Sequence, residues 1–288
     1  MPLVGKRSVA AVTRADVERM MHAIAAGATA RQAKTKARGL STLRGGRGAA
    51  TRTVSLLGGV FAYAVARGLR PDNPVHGVRK YAENRRERRL TDEEYALLGA
   101  GLRAAEATVW PPAVSALRFL VMTGWRSSEA IGLRWGDVDL SRRVAVLPDT
   151  KTGRSVRPLS RAACELLAAW PRRGDSALVF QATRGDGPLA GFQKFAVRIL
   201  AQAGLPADVT PHTLRHSFVS LGADLGFADA TLGALVGHKT ASITGRYTHL
   251  ADAPMLAAAD RIAAETLART GEATPGAVVV PLRPAGVG

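Results

Sequence analysis

Residues Arg79 to Arg89 read R-K-Y-A-E-N-R-R-E-R-R, a charged run without apolar periodicity. A run like this reads as an exposed linker, which constrains the fold more than any other stretch. It splits the chain near Arg85. Residues 1–84 are expected to form one domain and residues 85–270 a second, with residues 271–288 as a tail.

The first domain reads as helical. Thr13-Arg-Ala-Asp16 resembles a capping box with Asp in place of Glu, opening a helix that runs to about Ala26 and stops at Gly27. A second helix is predicted over Ala50–Arg67, with Val54, Leu57, Phe61 and Val65 at helical spacing and Gly68, Pro71 and Pro74 ending it. Between them, Arg31 to Arg52 is basic and glycine-rich. This segment is expected to be flexible and positive, suited to a phosphate backbone or otherwise a solvated loop.

Thr91-Asp-Glu-Glu94 is a full capping box and opens the second domain. An apolar helix over about Pro112–Thr123 leads into T-G-W-R-S-S-E. There Gly124 permits a sharp turn, and Ser127 or Ser128 can cap the next helix. Strand patterns at Val144–Pro148 and Ser155–Leu159 flank Asp149-Thr-Lys-Thr-Gly153, a hairpin that holds Lys151 at its tip. Helices follow near Ser160–Trp170 and Leu189–Ala203, with A-L-V-F between them as a candidate third strand. After Thr210–Tyr247, an amphipathic helix is predicted from Pro254 to about Leu267. The tail, with its apolar run between prolines and glycines, is expected to be disordered or to dock on a neighbouring subunit. The expected class is mainly α with a small antiparallel β-sheet (α+β).

Charge narrows the partners. The net charge is +17 over 288 residues, and the 47% hydrophobic content is enough for a real core. A polyanionic partner relieves that self-repulsion, nucleic acid before a membrane surface. The lone Cys164 excludes an internal disulfide and a multi-cysteine zinc site, and its apolar helical setting reads as a buried structural thiol. No apolar run approaches bilayer length and no signal peptide opens the chain, so no membrane and a reducing, cytoplasmic compartment are expected.

The chemistry gathers in T-P-H-T-L-R-H-S-F and G-H-K-T-A-S-I-T-G-R-Y, where His212, Arg215, His238 and Tyr247 fall on three short predicted helices. Breaking a phosphodiester needs cations on the non-bridging oxygens, a nucleophile and an acid for the leaving oxygen. Arg126 and Arg215 suit the first task because a guanidinium bonds two oxygens and stays charged. His212 and Arg215, three apart, share a helix face. His212 and His216 are spaced for zinc, but Thr213 stands where a zincin needs Glu, so no metal is expected and His216 reads as structural. A phenol of unperturbed pKa about 10 becomes a nucleophile only when cations and an acceptor draw its proton away.

T-G-W-R-S-S-E at 123–129, T-K-T-G-R at 150–154, H-T-L-R-H at 212–216 and G-H-K-T-A-S-I-T-G-R-Y at 237–247 resemble, in order, the signatures of the tyrosine recombinase, or phage integrase, family. The likeness covers Thr91–Leu250, with a weaker one over Ala49–Lys80 that includes the A-R-G-L-x-x-x-N-P turn of a helical core-binding domain. The resemblance implies a site-specific recombinase of a mobile genetic element that cleaves and rejoins DNA. In it Arg126, His212 and Arg215 hold the scissile phosphate, Lys151 is the general acid, His238 bonds the phosphate, and Tyr247 attacks to form a 3′-phosphotyrosyl intermediate. Glu129 takes a supporting acidic position. No cofactor or metal is implied. Double-stranded DNA, a homo-tetramer on paired sites, and accessory DNA-bending or directionality proteins are the implied partners. The family's core-binding domain has four helices, and residues 1–84 match it without the first. A type IB topoisomerase shares the chemistry without synapsis. A non-catalytic DNA-binding regulator would have no need of Tyr247.

Overall fold

The computed structural model describes residues 3–36, 39–82, 88–148, 153–172, 176–238 and 253–272. Two compact units divide the chain, Met1–Arg86 and Glu87–Gly288.

In the first unit, α1 (Arg14–Ala25) starts on the expected box. Thr13 Oγ1 accepts from the Asp16 N–H at 3.3 Å, and the Asp16 carboxylate accepts from the Thr13 N–H at 3.0 Å. α2 (Arg47–Ala66) packs on α1, and Val17, Met20, Met21, Val54 and Phe61 form the core. Only part of the expected apolar stripe of α2 turns inward: Leu57 is half-buried, and Val65 is exposed along with Leu56, Val60 and Tyr63. α2 is also long and apolar enough to cross a membrane by length and composition, contrary to the reading that no run reaches that length. Its buried side is spent on α1, as in the core helix of a small helical unit.

The Arg31–Arg52 segment departs from expectation. Instead of a flexible loop it contains β1 (Arg31–Lys36) and β2 (Gly39–Leu43), paired antiparallel with Gln32 opposite Thr42 and Lys34 opposite Leu40. The ladder consists of backbone hydrogen bonds with neither face in a core, so no apolar alternation betrays it. Beyond α2, Arg70 fixes the chain's return: its Nη1 donates to the carbonyls of Val9 at 2.8 Å and Val12 at 3.1 Å. Asn73 closes the following turn, accepting from the Val75 N–H at 3.0 Å and donating to the Gly58 carbonyl at 2.9 Å.

In the second unit, α3 (Asp92–Ala105) opens on the Thr91–Glu94 box, with Glu94 N–H to Thr91 Oγ1 at 3.3 Å and Thr91 N–H to Glu94 Oε2 at 3.0 Å. α4 (Pro111–Thr123) is the central helix, buried on nearly every side, as its all-round apolar sequence requires. Its Arg118 escapes through Glu272, 3.0 Å away. α5 (Ser127–Ile131) follows, then β3 (Val138–Asp139), β4 (Val144–Leu147) and β5 (Ser155–Pro158), an antiparallel sheet in sequence order. The third strand is therefore Val138–Asp139. The A-L-V-F segment gives only a single bridge, Leu178 to Arg134, because Val179 and Phe180 are drawn into the core.

α6 (Arg161–Ala169), α7 (Phe192–Gln202), α8 (Pro211–Asp224), α9 (Asp229–Val236) and α10 (Ala253–Thr270) complete the described elements. The main core centres on Leu98, Leu117, Phe119, Trp125 and Phe180, and a smaller one, built by α8, α9 and α10, on Phe218, Leu232 and Ile262. The class is α+β, mainly helical, as expected. Cys164 is half-buried rather than buried, and burial pushes its thiol pKa up, away from reactivity.

Candidate active site

Three element ends meet around one guanidinium. Arg215 is set in the first half of α8, where Thr210 caps the helix and Pro211 starts it. Its Nη1 donates to the Gly124 carbonyl at the end of α4 and to the Val236 carbonyl at the end of α9, each at 2.9 Å. Arg215 is 4% exposed, and its Nη2 is buried with no partner among the described residues. Burial first, then the charge of Arg126, lowers its pKa to about 10. It remains a cation at neutral pH, but a costly one that an anion would relieve.

Gly124 makes this approach possible. Its φ is +62°, and a Cβ there would stand 2.7 Å from the Phe218 ring. The turn delivers Arg126, whose backbone N–H donates to Glu129 Oε2 at 3.1 Å and whose Nη1 reaches Glu129 Oε1 at 2.8 Å. Arg126 is thus itself the cap residue of α5. Ser127 and Ser128, expected as caps, lie inside the helix, because Glu129 takes the capping task from within.

Glu129 also holds a residue that sequence reasoning missed. Arg157 on β5 is fully buried, with Nη2 at 3.1 Å from Glu129 Oε1, Nε donating to Ser155 Oγ at 2.8 Å, and its guanidinium 5.5 Å from the Trp125 ring centroid. Burial, then the charge of Arg126, lowers its pKa against the pull of Glu129. Its Nη1 also lacks a partner among the described residues. Two guanidinium groups, of Arg126 and Arg157, therefore share one carboxylate, whose charge Arg215 also feels. Nothing in S-V-R-P-L marks Arg157 as buried, since arginine on a strand ordinarily faces water.

The histidines border the cluster. His212 Nε2 and His216 Nε2 are 3.0 Å apart on one face of α8, so one ring donates and the other accepts. His216, read as structural, therefore partners His212. His238 follows Gly237, the left-handed cap of α9. Burial lowers the pKa of both His212 and His238, helped by His216 and Arg215 at the first and by Arg215, Arg126 and Arg157 at the second. Both are neutral at pH 7 and can accept a proton or a hydrogen bond.

Their folded pKa values lie below the unfolded value of about 6.5, so on acidification the unfolded chain takes up protons first. Stability is expected to fall as pH drops through that value. A lower urea midpoint at about pH 5.5 than at about pH 7.5 checks this, and a His212→Gln, His238→Gln variant should flatten the difference.

Lys151 and Tyr247, the expected acid and nucleophile, lie outside the described residues, as do the hairpin tip and the third helix of the Thr210–Tyr247 stretch. The structure brings together Arg126, Glu129, Arg157, His212, Arg215 and His238. Among the described residues no group of three or more His, Cys, Asp or Glu side chains is placed to hold a metal ion.

A cluster of three guanidinium groups, two of them buried, with neutral histidines at its border suits a phosphate-like anion. Residues 88–253 match the phage integrase family. The tyrosine recombinase XerD of Mycobacterium leprae is 32% identical over 219 residues, covering 69% of this chain and 68% of that protein. The shufflon-specific DNA recombinase of Escherichia coli is 34% identical over 201 residues, 68% of this chain; the chain spans only 50% of that relative's length. The fold is similar to that of a lambda integrase tetramer bound to a Holliday junction, at TM-score 0.59 and 22% identity over 80% of this chain and 65% of that one. The chain belongs to the phage integrase family, the tyrosine recombinases.

Proposed function

We propose that this protein is a site-specific DNA recombinase that cleaves and rejoins strands through a 3′-phosphotyrosyl intermediate. The observation that carries the proposal is the pair of buried guanidinium groups, Arg157 and Arg215, each with a nitrogen unpaired among the described residues. Buried polar groups are almost always paired. Arg126 and Arg215 would hold the two non-bridging oxygens of the scissile phosphate, with His212 and His238 bonding it from the border. Tyr247 would attack phosphorus, and the bond to the 5′ oxygen would break. Lys151 would give that oxygen its proton, and a neutral histidine would receive the one lost by the phenol. Resealing runs the same steps in reverse, so the phosphotyrosyl bond conserves the energy and no nucleotide is consumed.

In this reading residues 1–84 clamp the duplex and residues 85–270 carry the chemistry. The working assembly is a homo-tetramer on paired DNA sites, as in the lambda integrase tetramer on its Holliday junction. Accessory DNA-bending or directionality proteins set the outcome, and the enzyme works in the cytoplasm with the DNA it rearranges.

The test is a nicked suicide duplex built on the site that the wild-type protein selects from a random-sequence duplex pool. Wild type is expected to become covalently attached, with a shift on a denaturing gel, and Tyr247→Phe to give no adduct. Attachment of the Phe variant would remove Tyr247 as nucleophile. No attachment of the wild type would remove the proposed activity.

A further inference from the structure

The β1–β2 ribbon plays no part in the chemistry above, and its composition is one-sided. From Arg19 to Pro71 the sequence holds no acidic residue, while Arg31 and Lys34 lie on the ribbon and Arg44 and Arg47 at its root. Residues Arg31–Thr35 and Leu40–Arg44 are exposed throughout, Leu40 at 62% and Leu43 at 47%. A two-stranded ribbon with neither face in a core is marginal in water by itself, so the unit's own packing gives no reason for it.

Its root, by contrast, is fixed. The Gly46 N–H donates to the Ile24 carbonyl at the end of α1 at 3.0 Å. At Gly45 (φ +72°) a Cβ would meet that same carbonyl at 2.7 Å and Gly27 Cα at 2.9 Å.

We propose that this ribbon is a sequence-reading element that enters a major groove of duplex DNA. The proposal rests on the DNA-cleaving reading above and assigns site choice within it. Opposed residues share a face, so the register puts Gln32, Lys34, Leu40 and Thr42 on one side of the ribbon and Arg31, Ala33, Ser41 and Leu43 on the other. The first side carries what base edges require. The Gln32 amide matches adenine N6 and N7, the Lys34 ammonium matches guanine O6 and N7, the Thr42 hydroxyl serves either, and Leu40 offers an apolar surface to a thymine methyl. Two strands about 4.8 Å apart fit a groove about 12 Å wide, which admits a β-ribbon as readily as a helix. Arg44 and Arg47, exposed at the root, are placed for the flanking phosphates, which orient the ribbon without reading sequence. An acidic protein surface would match the charge but would make no use of this amide and hydroxyl.

The experiment compares the full-length wild type with Gln32→Ala, Thr42→Ala and with Lys34→Ala, each applied to the same random-sequence duplex pool. All three side chains are exposed, so melting temperatures should match. Wild type is expected to enrich a defined motif. The Gln32, Thr42 double variant should lose a contiguous block of it and bind the wild-type motif about tenfold more weakly, with affinity for unrelated duplex unchanged. Lys34→Ala should relax the preference for guanine at one position of the motif. Retention of the full motif by both variants would overturn the proposal, as would an equal loss on motif and unrelated duplex, or no motif from the wild type. Adduct formation by wild type on the nicked duplex tests the chemistry separately, so loss of the ribbon's role and loss of the enzymatic reading give different results.

Discussion

Arg215→Lys is expected to slow strand cleavage by about 10²- to 10³-fold while leaving DNA affinity close to wild type. Removing one preorganised donor from a developing oxyanion costs that much elsewhere. Arg215 is preorganised to an unusual degree: Nη1 is tied to the carbonyls of Gly124 and Val236, and Nη2 is buried without a partner among the described residues. Lysine keeps the charge but has no fork. Its ammonium can satisfy one carbonyl or face the phosphate, and it cannot do both in the same geometry. The measurement is the single-turnover rate of adduct formation on the nicked duplex, with a thermal melt beside it. A near-wild-type rate would remove Arg215 from the transition state. Arg215→Ala differs in kind, since two buried carbonyls then lose their donor at about 1–3 kcal/mol each. Its loss of activity would therefore be confounded with unfolding.

The parts legible in the sequence were those with a local signature. The Thr13–Asp16 and Thr91–Glu94 boxes state their own geometry, and both form as read. The turn at Gly124 follows from a glycine between an apolar helix and an arginine. The Arg126, His212, Arg215 and His238 positions could be singled out because their motifs recur in order along the chain. What could not be read depends on tertiary burial or on its absence. Arg157 lies at a position that any propensity argument sends to solvent. It is buried because Glu129, Ser155 and the Trp125 face come to it from other elements, or from along its own strand. The β1–β2 ribbon is the opposite case: with no buried face it leaves no pattern in hydrophobicity, only one in charge. Leu178–Phe180 reads as a strand and is buried as a core segment, which a short apolar run alone cannot distinguish.

Gly237→Ala is expected to destabilise the second unit by about 2–5 kcal/mol, combining left-handed strain with overpacking. Gly237 has φ +72°, and a Cβ there would lie 1.9 Å from both Cζ and Nη2 of Arg157. The Arg157 guanidinium cannot retreat. It is bonded to Glu129 and Ser155 and packed against Trp125. The new methyl group must therefore push either the end of α9 or Arg157 itself. In the first case His238 and the Val236 carbonyl that holds Arg215 move. In the second, Glu129 loses a partner and Arg126 shifts with it. Either way, cleavage should fall along with stability.

A double-mutant cycle separates the two contributions. In an Arg157→Ala background the clash is gone and only the backbone strain remains, about 1–3 kcal/mol. The Gly237→Ala cost should therefore shrink markedly there, when both are read from denaturant midpoints. An equal cost in both backgrounds would mean that the close approach of Gly237 to Arg157 plays no part. Arg157 would then be a buried charge held by Glu129, Ser155 and Trp125, with no coupling between the sheet and the helix end that carries His238.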